Sequence, residues 1–178
     1  ETKKILFNER TSDKDHCFPI ANNVKDDAVY KITFSYKVLG ANANITVNTV
    51  TCKKDSIWES KCLTTYPTAT AYIPGKKGEW KTASVALKTD SKSDTVQGVG
   101  DTLALYLTLD TSATTTKVDL LIDNVIIESA EGDAILFDST QGQSAIVSGK
   151  AGDPFTAPTF TGNSAFLGWY LDTAYETP

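Results

Sequence analysis

The strongest constraint in this sequence is alternation with a period of two. Leu103, Leu105, Leu107 and Leu109 recur at every second position, with Ala104, Tyr106 and Thr108 between them. Only an extended strand puts every second side chain on one face, so such a segment must be a strand with one buried side. Tyr30, Ile32, Phe34 and Tyr36 repeat the pattern, opposed by Lys31, Thr33, Ser35 and Lys37. Ile45, Val47, Thr49 and Thr51 repeat it again, opposed by Asn44, Thr46, Asn48 and Val50. Ala69, Ala71 and Ile73 lead into Pro74-Gly75, a stop signal. Trp80 to Leu87 and Val118 to Ile127 read as two further strands. Thr, Val, Ile and Tyr are abundant, and branched or aromatic side chains pack well on a pleated surface. No stretch shows a 3.6-residue period. The fold class is therefore all-β, with strands separated by turns as in a β-sandwich or jelly roll.

Charge narrows the function. The 178 residues carry 17 Lys and Arg against 22 Asp and Glu, a net charge of −5. That balance lacks the basic footprint of a nucleic-acid binder. No apolar run approaches the roughly 20 residues that span a bilayer, so membrane insertion is not expected. There is no Met at all, so the sequence reads as an excerpt, a mature or trimmed segment. Beyond Ser129-Ala130-Glu131-Gly132-Asp133 the text changes, with Gly142, Gly149, Gly152, Pro154, Pro158 and Gly162 punctuating short apolar pieces. Two units are expected, 1–130 and 131–178.

Three motifs in order carry a resemblance over about 125 residues of the first unit. They are Val29-Tyr30-Lys31-Ile32-Thr33-Phe34-Ser35-Tyr36, Gly78-Glu79-Trp80-Lys81-Thr82 and Leu121-Ile122-Asp123-Asn124-Val125. The unit resembles the jelly-roll carbohydrate-binding modules of the broad group that includes families 4, 9 and 22. In the second unit, Ile135-Leu136-Phe137-Asp138, Val147-Ser148-Gly149, Pro158 and Phe166-Leu167-Gly168-Trp169-Tyr170 with Asp172 resemble the internalin-type B repeat. That repeat is a small β-grasp-like unit of bacterial surface proteins. Here it stops at Pro178, before the family's closing strand, so the unit is expected to be incomplete. Together the resemblances imply a secreted or wall-associated multi-module bacterial protein.

A glycan site combines flat aromatics, which stack on the C–H face of a sugar ring, with polar side chains for its hydroxyls. Tyr106 lies opposite its strand's leucine face, and Lys37 and Asn48 occupy the polar faces of theirs. If those strands share a sheet, the three line one surface. Trp58 sits in the polar loop Lys53-Lys54-Asp55-Ser56-Ile57-Trp58-Glu59 and either folds back or offers a platform, with Tyr66 and Tyr72 near it. The resemblance implies that Trp80 packs inside, and that Trp169 and Tyr170 pack in the repeat.

Cys52 and Cys62 flank a nine-residue loop, and a bridge there would contribute about 3 kcal/mol in the chain-entropy model. Three cysteines allow three single pairings, with Cys17 the alternative partner. The resemblance also implies a structural calcium. Asp123 stands where the family motif supplies a ligand, and Asn8 and Glu9 fall near the other contributor. The competing reading is that Asp123 serves a strand bend. No catalytic motif is present, and no pair of carboxylates is singled out, so the chain is read as non-enzymatic. The expected function is glycan binding without catalysis, with a polysaccharide on a host or cell-wall surface as partner. The alternative is a structural or adhesive spacer of a wall-anchored protein.

Overall fold

The computed structural model describes residues 5–8, 17–21, 24–25, 28–52, 69–88, 102–110, 112–131, 134–138, 142–150 and 152–160. These hold ten strands in chain order. They are β1 (Ile5–Asn8), β2 (Cys17–Ala21), β3 (Ala28–Leu39), β4 (Ala43–Cys52) and β5 (Ala69–Gly75). There follow β6 (Trp80–Lys88), β7 (Thr102–Asp110), β8 (Asp119–Glu131), β9 (Ala134–Asp138) and β10 (Ser144–Ser148). No helix occurs among the described residues, so none is long and apolar enough to cross a membrane.

Two four-stranded antiparallel sheets form a sandwich. One has the order β1-β8-β3-β6, the other β2-β7-β4-β5. Apart from the β4–β5 pair, strands of the sandwich adjacent in the chain lie in different sheets, so most pairings are long-range. The proline positions agree with this order. Proline lacks the N–H that a central strand must donate, and Pro19 and Pro74 both lie in edge strands, β2 and β5.

The alternating residues meet in one core. Ile32, Phe34 and Val38 of β3 are wholly buried, as are Ile45 and Val47 of β4 and Leu103 and Leu105 of β7. Ala71 and Ile73 from β5, Val85 from β6 and Leu120 and Ile122 from β8 complete the contact. Tyr36 faces inward too. Its phenol donates a hydrogen bond to the Pro74 carbonyl at 3.0 Å, which ties the end of β5 to the opposite sheet. Burial pushes the Tyr36 hydroxyl above its usual pKa, so it stays a donor.

One strand breaks simple alternation. β8 pairs Ile126 with Thr33 but Asp123 with Ser35, so one extra residue is inserted opposite Phe34. Asn124 takes a left-handed φ of 50°, and the Asp123 carboxylate accepts its N–H at 2.8 Å. This bulge keeps both Ile122 and Ile127 on the core side although they are five residues apart.

The hairpin β9–β10 lies against β6, β3 and β8. Ser84 of edge strand β6 donates its N–H to the Gly142 carbonyl at 2.7 Å. The Ser144 N–H donates to Ser84 Oγ at 2.8 Å, and Ser144 Oγ donates to the Ser84 carbonyl at 3.2 Å. Gly142 tucks between the sheets. A Cβ there would stand 2.3 Å from Ile73 Cγ2, and φ is +79°, so only glycine fits. Val29 and Ala86, on the outward faces of β3 and β6, are buried on this side. Both strands of this hairpin, β9 and β10, thus pack on the sandwich. The residues from Phe166 to Asp172 that resemble the B repeat lie outside the described residues.

Phe34 is the largest wholly buried side chain among the described residues. Phe34→Ala is expected to lower unfolding free energy by about 3–5 kcal/mol, read from the urea midpoint with an unchanged slope.

Candidate functional site

The outward face of the β2-β7-β4-β5 sheet is built from the polar half of each alternating strand. Register sets its rows. Thr108, Thr46 and Tyr72 are consecutive partners across β7, β4 and β5. One step along, Tyr106, Asn48 and Thr70 are partners, with Cys17 of β2 beyond Tyr106. One step the other way stand Asp110, Asn44 and Pro74. Tyr72 is 64% exposed, the most open large apolar side chain among the described residues. Asn44, Thr108 and Asp110 are exposed, and Thr46 and Asn48 are half-buried. Asp110 Oδ1 accepts hydrogen bonds from Ser112 N–H at 3.0 Å and Ser112 Oγ at 2.6 Å. These bonds hold its carboxyl below the ordinary carboxylate range, so it is charged at neutral pH. The face is therefore a rigid platform with one open phenol, amides and hydroxyls beside it, and an anion at one end.

Three of the residues picked from sequence meet here: Asn48, Tyr72 and, as Asn48's backbone partner, Tyr106. Lys37 does not join them. It belongs to β3, in the other sheet. Trp58, Tyr66, Cys62 and Glu9 lie outside the described residues. Thr46 and Thr108 were not singled out, because their place beside Tyr72 follows only from the pairing of β4 with its neighbours.

Trp80 corrects an expectation. It was expected inside, yet it is 46% exposed. The reason is parity. Ala83, Val85 and Leu87 face the core, so positions 80, 82 and 84 of the same strand must face outward. Lys37 is Trp80's partner across β3 and β6, and its ammonium lies 5.9 Å from the ring centroid. The preceding turn fixes this strand start. Gly78 N–H donates to the Val38 carbonyl and Lys77 N–H to Asn42 Oδ1, each at 2.8 Å. An ion pair between Lys76 and Glu79 closes the turn and holds the Glu79 carboxyl below its ordinary pKa.

Asp123 serves the bulge, as its hydrogen bond to Asn124 shows. Asn8 is paired with Asp119, four residues from Asp123, or about 13 Å along a strand. Among the described residues no three His, Cys, Asp or Glu form a metal-binding group. A calcium cage needs six to eight oxygens, backbone carbonyls included, and Glu9, the other expected contributor, lies outside the described residues. Cysteine pairing is narrowed by the backbone alone. Cys17 is level with Asn48, and Cys52 lies four residues further along β4. Two strand spacings and four residues put their Cα atoms about 16 Å apart, too far for a disulfide.

No protein-family model matches the chain, and no curated protein matches it. Solved structures do. The CBM22-1 xylan-binding domain from Paenibacillus barcinonensis Xyn10C is 15% identical over 74% of this chain and 83% of its own, with a TM-score of 0.46. A protein described as "CBM4 structure and function" is 6% identical over 71% and 94%, with a TM-score of 0.41. A cyclase from Fischerella sp. TAU is 12% identical over 66% of this chain, with a TM-score of 0.41, and this chain spans only 56% of it. The all-β sandwich of the present chain rests on its own strands and their pairing.

The bulge gives a direct test of local structure. Asn124→Val is expected to cost about 1–2 kcal/mol, because a branched side chain opposes a left-handed φ. Asn124→Gly is expected to be near neutral in the same thermal melt.

Proposed function

We propose that this chain is a non-catalytic glycan-binding module, and that it uses the outward face of the β2-β7-β4-β5 sheet. One observation carries the reading. Tyr72, 64% exposed, stands in register with Thr46 and Thr108 and one row from Asn48 on a rigid sheet. A pyranose stacks its C–H face on a phenol ring, and its equatorial hydroxyls need amide and hydroxyl partners a few ångströms away. A solvated sheet face needs no large aromatic for folding, and this one has it beside the groups a sugar requires. Asn44, Thr108 and Asp110 are exposed beside Tyr72, which suits a polysaccharide chain lying across the sheet.

The reading places the module in a secreted or cell-surface bacterial protein with several modules. It would hold that protein on a polysaccharide, whether of a cell wall or a host surface. A disulfide from Cys62 to Cys52 suits that setting, since extracellular proteins meet oxidising conditions.

Affinity electrophoresis of the 178-residue chain against soluble plant, microbial and host polysaccharides tests this. At least one polysaccharide is expected to retard it. Tyr72→Ala is expected to weaken that retardation up to about tenfold while stability changes by less than about 0.5 kcal/mol. Normal migration of the folded chain through every gel overturns the reading in favour of a spacer or protein-binding role.

A further inference from the structure

The opposite face of the sandwich carries a second cluster with the same chemistry. On the β1-β8-β3-β6 sheet, Leu121, Lys37 and Trp80 are consecutive partners across β8, β3 and β6. The next row is Asp123, Ser35 and Thr82. All six face outward, since their neighbours Ile122, Phe34, Tyr36 and Ala83 face the core. The cluster thus joins an indole, an ammonium, a carboxylate and two hydroxyls within two rows. Trp80 and Thr82 are exposed, and the other four are half-buried.

The hairpin defines its limit. Ser144 is bonded to Ser84, the next outward residue of β6 after Thr82. From there onward the β3 and β6 part of the face is covered, with Val29 and Ala86 buried, while Ile126 of β8, in the Ser84 row, stays 56% exposed. The hairpin stops one row short of Thr82, which leaves Trp80 at the open end of a step. Trp80 is further held by its turn and by Lys37, so the ring is presented in one place at little entropic cost on binding.

We propose that this cluster is a second glycan subsite, separate from the Tyr72 face, with Trp80 as the stacking platform. Lys37 and the hydroxyls of Ser35 and Thr82 donate to ring oxygens and hydroxyls. The Asp123 carboxylate, one of whose oxygens already accepts Asn124 N–H, accepts from a sugar hydroxyl. The occupant is a neutral or N-acetylated pyranose chain, because the charged groups are one of each sign and favour no charged ligand. This inference rests on the glycan-binding reading and extends it to a second, back-to-back site.

The test is an NMR titration of the ¹⁵N-labelled full chain with xylohexaose, cellohexaose and chitohexaose. With at least one hexasaccharide, two groups of amides are expected to shift, around Thr46, Asn48 and Tyr72 and around Ser35, Lys37 and Thr82. The Trp80 indole N–H, identified from its loss in Trp80→Phe, is expected to move with the second group. Trp80→Ala is expected to weaken binding at the second group about tenfold and leave the first unchanged. Trp80→Phe, which keeps a flat ring, is expected to retain most of it. Shifts confined to the Tyr72 face overturn the second subsite and leave the glycan-binding reading intact. No shift with any of the three sugars overturns the second subsite. A polysaccharide that still retards the chain in electrophoresis shows that the broader reading survives.

Discussion

The phase of β8 is the constraint on which both faces depend. β8 is flanked by β1 and β3, so its side-chain parity decides what half of one sheet shows to core and solvent. A strict alternation through Asp119–Glu131 would drive either Ile122 or Ile127 out of the core. The extra residue at Asp123–Asn124 removes that conflict. Its requirement is a residue tolerant of a left-handed backbone, and Asn meets it with a carboxylate beside it to take the N–H. The same step leaves Asp123 outward, level with Ser35 and Thr82. A device that solves a packing problem thereby places an acceptor on the surface.

The hairpin solves a second problem. β6 is an edge strand, and an uncovered edge is a template for unwanted pairing. Gly142 accepts from Ser84 and the two serines exchange further bonds, so one stretch of that edge is occupied by the chain itself. β5, the edge strand of the other sheet, relies on Pro74, which cannot donate, and on the short turn that leads directly into β6. The edge of β6 is closed at this side by local chain, while Tyr72 and Trp80 remain exposed.

Much of the fold was legible because burial and strand periodicity coincide. Six strands follow from alternation and turn residues, and Tyr30, Ile32, Phe34 and Tyr36 are inward as their spacing requires. The short edge strand β2 carries too few residues to show a period. Sheet membership was not legible, because which strands pair is a long-range property. That is why Lys37 was grouped with Asn48 and Tyr106, although β3 and β4 belong to different sheets. The outward position of Trp80 has a different cause. Its motif suggested burial, but Ala83, Val85 and Leu87 set the parity of β6, and counting back from them puts position 80 outside.

The geometry of a sandwich then limits what two platforms can do together. The sheets share one core, so their outward faces point in opposite directions. Packed sheets stand about 10 Å apart, and the side chains on both outer faces add to that separation. No single sugar ring can touch Tyr72 and Trp80 at once. A short oligosaccharide therefore gains nothing from the second face once it sits on the first. In the proposed glycan-binding role a polysaccharide mesh would, because neighbouring chains on either side of the module could each be held. Linkage of that kind raises retention through effective concentration rather than through a deeper pocket. Under that proposal, two opposed exposed faces would suit holding a polysaccharide network better than capturing one soluble sugar.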